Sequence, residues 1–237
     1  MKKSHKIILA VVLILIILAS LYDKVCEVPI IKEYDSLLPG PNIIFVTATH
    51  GNEYAPHYAV VEYLKHHHPR KGKLTHITVN RCGLFFNNRE QGPFDINNDI
   101  NRKYITSNNK NDVNKINKTI MDNIKGDVLI IDFHESNKLH YHYSNYIGNT
   151  ITFNTNYTDV DKMIEILNNK YPGSKWCVGN TPQEDVPDDR IQDTLYDYCT
   201  DNGIRYILIE TYRNGKLKTR MDHTETILNY IFDKYFD

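Results

Sequence analysis

Histidines and glutamates stand where apolar stretches of this sequence give way to polar ones. Ile43-Ile44-Phe45-Val46 leads to Thr49-His50-Gly51-Asn52-Glu53, and Val128-Leu129-Ile130-Ile131 leads to Asp132-Phe133-His134-Glu135-Ser136. Tyr206-Ile207-Leu208-Ile209 leads to Glu210-Thr211-Tyr212-Arg213. Catalytic zinc takes three protein ligands, imidazole nitrogen or carboxylate oxygen, and keeps a fourth position open for water. His50 and Glu53, three apart across a turn that Gly51 would let bend, can grip one ion, and His134 can close the set from a neighbouring strand. Taken alone, His-x-x-Glu is close to chance in a chain with 11 histidines, and a lone His50 is equally a turn histidine. The segment Asp99-Ile100-Asn101-Arg102 offers different chemistry. Arg102 presents a planar fork suited to a carboxylate, with Asn101 able to donate beside it. Asp99 can accept from the spare imidazole nitrogen of His50. A solvated turn with a surface arginine is the plainer reading of that loop.

These residues converge only if the elements carrying them do. The runs at 43–46, 128–131 and 206–209 have the length and composition of buried strands, and a further strand is expected at 76–80. Helical spacing marks 53–67, with Ala55, Tyr58, Ala59, Val61, Tyr63 and Leu64 as its apolar positions. A polar helix is expected over 111–124, with others at 159–170, 191–202 and 223–235. Residues 82–110, rich in Asn, Gly and Asp, read as a long irregular loop of the kind that is often functional. Alternating strands and helices predict a three-layer α/β/α sandwich with a mostly parallel mixed sheet. In such sheets ligands bind beyond the carboxyl ends of the strands, where the three polar clusters lie.

His50-Gly51-Asn52-Glu53-Tyr54-Ala55-Pro56 resembles the HGNExAP zinc motif of the succinylglutamate desuccinylase/aspartoacylase family, part of the wider zinc carboxypeptidase fold group. Asp99-x-Asn101-Arg102 is similar to that family's D-x-N-R motif, Asp132-Phe133-His134 to its third-ligand segment, and Glu210 to its general-base glutamate. The matches keep the family's order and span residues 43–213. The resemblance implies one zinc ion on His50, Glu53 and His134, with Asp99 and Asp132 supporting the ligands. Glu210 would take a proton from water and return it to the leaving amine, while Asn101 and Arg102 hold a substrate carboxylate. A strand-end Glu210 paired with Arg213 is the structural alternative.

The departures bear on substrate. Phe94 stands eight positions before Arg102, where family aspartoacylases carry another substrate-binding arginine; Arg89, Arg190 and Arg213 are possible substitutes. The chain is short for the C-terminal β-domain of these deacylases, and residues 180–194 lack the tyrosine usual in the peptidase branch. The HGNExAP resemblance implies an N-acyl amino acid or similar carboxylate-bearing substrate, with a peptide carboxypeptidase or an inactive, tethered binding protein as alternatives. His57 reads as a packed or surface residue, His66-His67-His68 as a solvated helix end, and His140 and His142 as an exposed strand or pocket rim. Glu135 should point away from His134 if its strand continues.

The 28 basic and 29 acidic side chains leave a net charge of −1 and no basic stripe, which excludes a nucleic-acid binder. Lys2, Lys3 and Lys6 precede a charge-free run from Ile7 to Leu21, so residues 1–24 are expected to form a transmembrane signal-anchor, or else a cleaved signal peptide. Residues 25–41 read as a linker closing on Pro39-Gly40-Pro41, and 42–237 as the hydrolase domain, on the extracytoplasmic or lumenal side. Cys26, Cys82, Cys177 and Cys199 contain no CxxC pair, which excludes a thiolate zinc knuckle and leaves disulfides open. Asn117 and Asn156 lie in glycosylation sequons.

Overall fold

A computed structural model describes residues 5, 7–14, 29–89, 99–102, 104, 112–137, 148–155, 158–179 and 193–237. Seven strands form one sheet: β1 (Ile30–Asp35), β2 (Asn42–Thr47), β3 (Lys73–Thr78), β4 (Leu129–Ser136), β5 (Thr150–Phe153), β6 (Cys177–Val178) and β7 (Arg205–Tyr212). Their order across the sheet is β1-β3-β2-β4-β7-β5-β6. The inner strands β3, β2, β4 and β7 are mutually parallel, while β1 and β5 join them antiparallel and β6 runs parallel to β5. The expected mostly parallel mixed sheet is what forms.

Side chains alternate across each strand, and the alternation builds two cores. Ile43, Phe45, Leu129, Ile131, Phe133, Ile207 and Ile209 face one way. There they meet helices α1 (Tyr54–Tyr63), α4 (Thr158–Lys170) and α6 (Leu217–Ile231) through residues such as Val60, Leu167 and Leu228. Ile44, Val46, Ile77, Ile130 and Tyr206 face the other way, against Ile116 and Ile120 of α3 (Asp112–Asn123) and Leu195 and Cys199 of α5 (Leu195–Asp201). Helices on both faces make the three layers. The short α2 (Arg81–Phe86) starts where the Asn80 side chain accepts from the Gly83 N–H and stops at Asn87, whose φ of 52° is left-handed. Thr194 and Asp197 form a reciprocal capping box that starts α5.

Several boundaries differ from the sequence reading. Residues 30–35, placed in a linker, form edge strand β1, whose half-exposed pattern and charged Lys32-Glu33 hide it from a search for apolar runs. The strand expected at 76–80 runs from Lys73 to Thr78. The loop expected over 82–110 opens with α2 and contains a 3-10 turn at Ile100–Arg102. The terminal helix begins at Leu217, not 223, and widens into a π turn over Phe232–Phe236. Among the described residues no helix is long and apolar enough to cross a membrane. Of the N-terminal run, residues 7–14 are described; they are helical and exposed, and the rest of the expected span lies outside the described residues. Cys82 is disulfide-bonded, and Cys177 and Cys199 are free thiols. Asn117 is fully buried and donates to the Ile100 carbonyl, so it cannot carry a glycan in the folded chain. Asn156 lies outside the described residues.

Candidate active site

β2, β4 and β7 deliver their polar clusters to one end of the sheet. The parallel register sets His134 directly beside Glu210, and Asp132 lies two residues back on the same face of β4. Ala48, immediately after β2, adopts a left-handed φ of 55°, and its carbonyl accepts from the Asn80 N–H at 2.9 Å. That turn sends Thr49, His50 and Gly51 over the strand ends. Glu53 then occupies the N-cap position of α1, but its side chain makes no cap and turns to the histidines instead.

Gly51 matters for a reason the sequence did not supply. Its φ is not left-handed; a Cβ there would lie 1.9 Å from the Gly83 carbonyl carbon and 2.3 Å from Leu84 N. Only glycine lets the ligand loop lie this close to the backbone of α2.

The three expected ligands come together. His50 Nδ1 is 2.8 Å from Glu53 Oε1, and His134 Nδ1 is 2.9 Å from Glu53 Oε2. One donor atom from each residue lies within 4.8 Å of the others, and all three side chains are buried. Both imidazoles thus aim Nδ1 at a common point and turn Nε2 outward to an aspartate. His50 Nε2 meets Asp99 Oδ1 at 2.9 Å. His134 Nε2 lies 3.2 Å from Asp132 Oδ2, close enough to pair charges though not aligned as a hydrogen bond. Tyr206 donates to that same Asp132 oxygen at 2.8 Å. Two nitrogens and a carboxylate, each imidazole backed by an aspartate, is a donor set that fits a catalytic divalent cation. Glu210 is buried beside them, and its Oε2 has no hydrogen-bond partner among the described residues.

The electrostatics follow from crowding charges in a dry place. Burial alone would lower His50, but Glu53 and Asp99 outweigh it and raise its pKa. Burial likewise opposes protonation of His134, and Asp132 and Glu53 raise its pKa well above the ordinary value. Burial would raise Glu53, yet the two histidines hold it well below the usual carboxylate range. Glu210 is pushed well above that range by burial, with Glu53 and Asp132 adding to the effect against the pull of His134 and Arg89.

The D-x-N-R loop sits at the mouth. Asp99 Oδ1 accepts from the Asn101 N–H at 2.9 Å, which shapes the turn, while Asn101 Oδ1 accepts from Leu195 N at 3.3 Å. Arg102 donates from NH1 to the Asn101 carbonyl at 3.0 Å, and its NH2 lies 3.9 Å from Asp99 Oδ2. Arg89 reaches the centre itself, donating to Glu53 Oε1 at 3.1 Å and to Asp99 Oδ2 at 3.2 Å. Of the three arginines considered as substitutes, this is the one the described contacts bring to the ligands; Arg190 and Phe94 lie outside the described residues. No ion pair joins Glu210 to Arg213 among the described residues.

The other described histidines near these elements stay out. His57 Nδ1 and His76 Nε2 both bond to Thr47 Oγ1, at 2.9 and 2.8 Å, in a buried chain under α1. His67 stacks on Tyr63 and His68 on Tyr34 at the end of α1, and His66 is exposed. His140 and His142 lie outside the described residues. Glu135 points to the opposite face of β4 from His134, as expected, where it pairs with Arg220 at 2.7 Å.

The sequence matches no known family profile and no curated protein. Solved structures do match. Tripeptide-bound cell shape determinant Csd4 from Helicobacter pylori superposes with a TM-score of 0.72 at 16% identity, over 87% of this chain and 55% of Csd4. A succinylglutamate desuccinylase/aspartoacylase from Rhodobacter sphaeroides gives 0.56 at 15% identity, over 87% of this chain and 59% of that one. The ectoine utilization protein EutE (DoeB) from Ruegeria pomeroyi gives 0.57 at 12% identity, over 87% and 61%. The chain spans little more than half the length of Csd4. It shares the fold of these structures.

Proposed function

We propose that the chain is a zinc-dependent hydrolase of C–N bonds, removing an acyl group from an N-acyl amino acid or a similar carboxylate-bearing substrate. The observation that carries this is the meeting of His50, Glu53 and His134 at one point with the unpartnered, buried Glu210 Oε2 beside it. A zinc ion held there would polarise the scissile carbonyl and acidify water. Glu210 is placed to receive a proton at Oε2 and pass it to the leaving amine. His50 Nε2 bonds to Asp99 and His134 Nε2 faces the Asp132 carboxylate at 3.2 Å, which leaves both Nδ1 atoms free to ligate. Arg89 and Arg102 supply the positive charge for a substrate carboxylate, and the Asn101 amide nitrogen can donate because its oxygen is engaged by Leu195.

A second reading, a carboxypeptidase acting on short peptides, is favoured by one observation. The best-superposing structure above is Csd4, described as a D,L-carboxypeptidase and crystallised with a tripeptide and with mDAP. Both reactions use the same residues and both substrates present a carboxylate to the arginines. We also place the domain outside the cytoplasm, tethered by the basic and apolar N-terminal segment or released after its cleavage. The disulfide at Cys82 fits an oxidising compartment.

The test is turnover by the zinc-loaded chain on a panel of N-acyl amino acids and short peptides with free C-termini, beside Glu210→Gln. Hydrolysis in one class, falling by about 10²–10⁴-fold in Glu210→Gln, is the expected result. Zinc binding with no turnover in either class would leave a binding protein that keeps the hydrolase fold.

A further inference from the structure

Glu135 follows a metal ligand in sequence but faces away from the metal site, and its contacts reach α1 and β7, two of the elements that build that site. Its Oε2 accepts from the backbone N–H of Ala55 at 3.0 Å, in the first turn of α1 and two residues after Glu53. Its Oε1 accepts from Thr211 Oγ1 at 3.2 Å, next to Glu210 on β7, and from Arg220 NH1 of α6 at 2.7 Å. Its own backbone N–H donates to Glu53 Oε2 at 3.2 Å. Carboxylate and guanidinium are both buried, and the Arg220 guanidinium lies 5.2 Å from the centre of the Tyr54 ring.

The first turn of a helix exposes N–H groups that a side chain at the N-cap position normally satisfies. Here Glu53 holds that position and makes no cap, because its carboxylate is turned to His50 and His134. Glu135, on the face of β4 that α1 covers, takes one of the orphaned N–H groups. We infer that Glu135, held by Arg220, is a positioning residue: it caps α1 in place of Glu53 and so frees the Glu53 carboxylate to serve as a metal ligand. The inference rests on the proposed metal site. Buried ion pairs of this kind add little net stability over apolar residues of the same size, which leaves placement of the ligands as the role for this one.

The experiment compares the wild-type chain with two double variants, Glu135→Gln/Arg220→Met and Glu135→Leu/Arg220→Met. Both remove the ion pair; only the first keeps an oxygen to accept the Ala55 N–H. Zinc dissociation constants are read by competition with a chromophoric chelator, and apo melting temperatures are read alongside. The leucine variant should bind zinc about 10–100-fold more weakly than the glutamine variant, while their apo melting temperatures stay close. Equal zinc constants for the two variants, or a loss that merely tracks apo stability, would overturn the inference. A leucine variant that does not fold moves the decision to Arg220→Gln, which keeps an N–H on Glu135 but loses the guanidinium: weaker zinc binding upholds the inference, and an unchanged constant overturns it. A wild-type chain that binds no zinc is a different outcome, and strikes at the metal site itself.

Discussion

Replacing Gly51 by alanine adds one carbon at a place where the surroundings are backbone. That Cβ would fall 1.9 Å from the Gly83 carbonyl carbon, 2.3 Å from Gly83 Cα and 2.3 Å from Leu84 N. Carbon atoms settle at about 3.5–4.0 Å, so the ligand loop and α2 must part by roughly 1.6 Å. No rotamer change can relieve a clash with main chain. Yielding on the α2 side means disturbing the Asn80 cap on Gly83 N and a helix tied by the Cys82 disulfide. Yielding on the loop side moves His50 and Glu53. Overpacking of this kind costs about 1–3 kcal/mol of stability. A ligand displacement of the order of 1 Å costs about 10²-fold in rate. Gly51→Ala should therefore melt lower and lose about two orders of magnitude in kcat/KM, with weaker zinc binding by chelator competition. A variant with wild-type zinc affinity and kcat/KM would refute the claim that this contact sets the position of the ligands.

The buried chain His57–Thr47–His76 makes the fold sensitive to acid: burial, with Lys32 nearby, lowers His57 to about 4 and His76 to about 3. Both lie below the unfolded value near 6.5, so the unfolded chain binds protons first and stability falls as pH drops from about 6.5 toward 4 and then 3. His57→Gln should flatten the slope of unfolding free energy near pH 5 by about 1.4 kcal/mol per pH unit in denaturant titrations, and an unchanged slope would contradict the assignment. Asp132→Asn keeps an oxygen for the Tyr206 hydroxyl but loses the charge beside His134 Nε2. It should weaken zinc binding by about 10–100-fold with little change in apo melting temperature, and equal affinity would remove Asp132 from the ligand-supporting role.

The strands that carry the site were legible because they are buried on both faces, and such strands read as unbroken apolar runs. β2, β4 and β7 are of this kind, and the polar residues at their ends mark the site. The outer strands give no such signal: edge strand β1 is half exposed, β5 is four residues long and edge strand β6 only two. His50, Glu53, Asp99, Asp132, His134 and Glu210 stand out as candidates in the sequence because motif order carries information even where single pairs are close to chance. Arg89 was one of three candidates, and only the fold brings it to Glu53. Glu135 and Arg220 are 85 positions apart, and no spacing rule foretells that contact. The need for glycine at position 51 comes from α2, which lies in a segment that reads as loop.

The central claim is that one metal ion sits where the Nδ1 atoms of His50 and His134 and the Glu53 carboxylate converge. Crystals of the zinc-loaded chain, measured on either side of the zinc absorption edge, test this directly. A single anomalous peak among those three donors, with Glu210 beside it, is the predicted result. No peak there, or a peak at His57 and His76, would contradict the account.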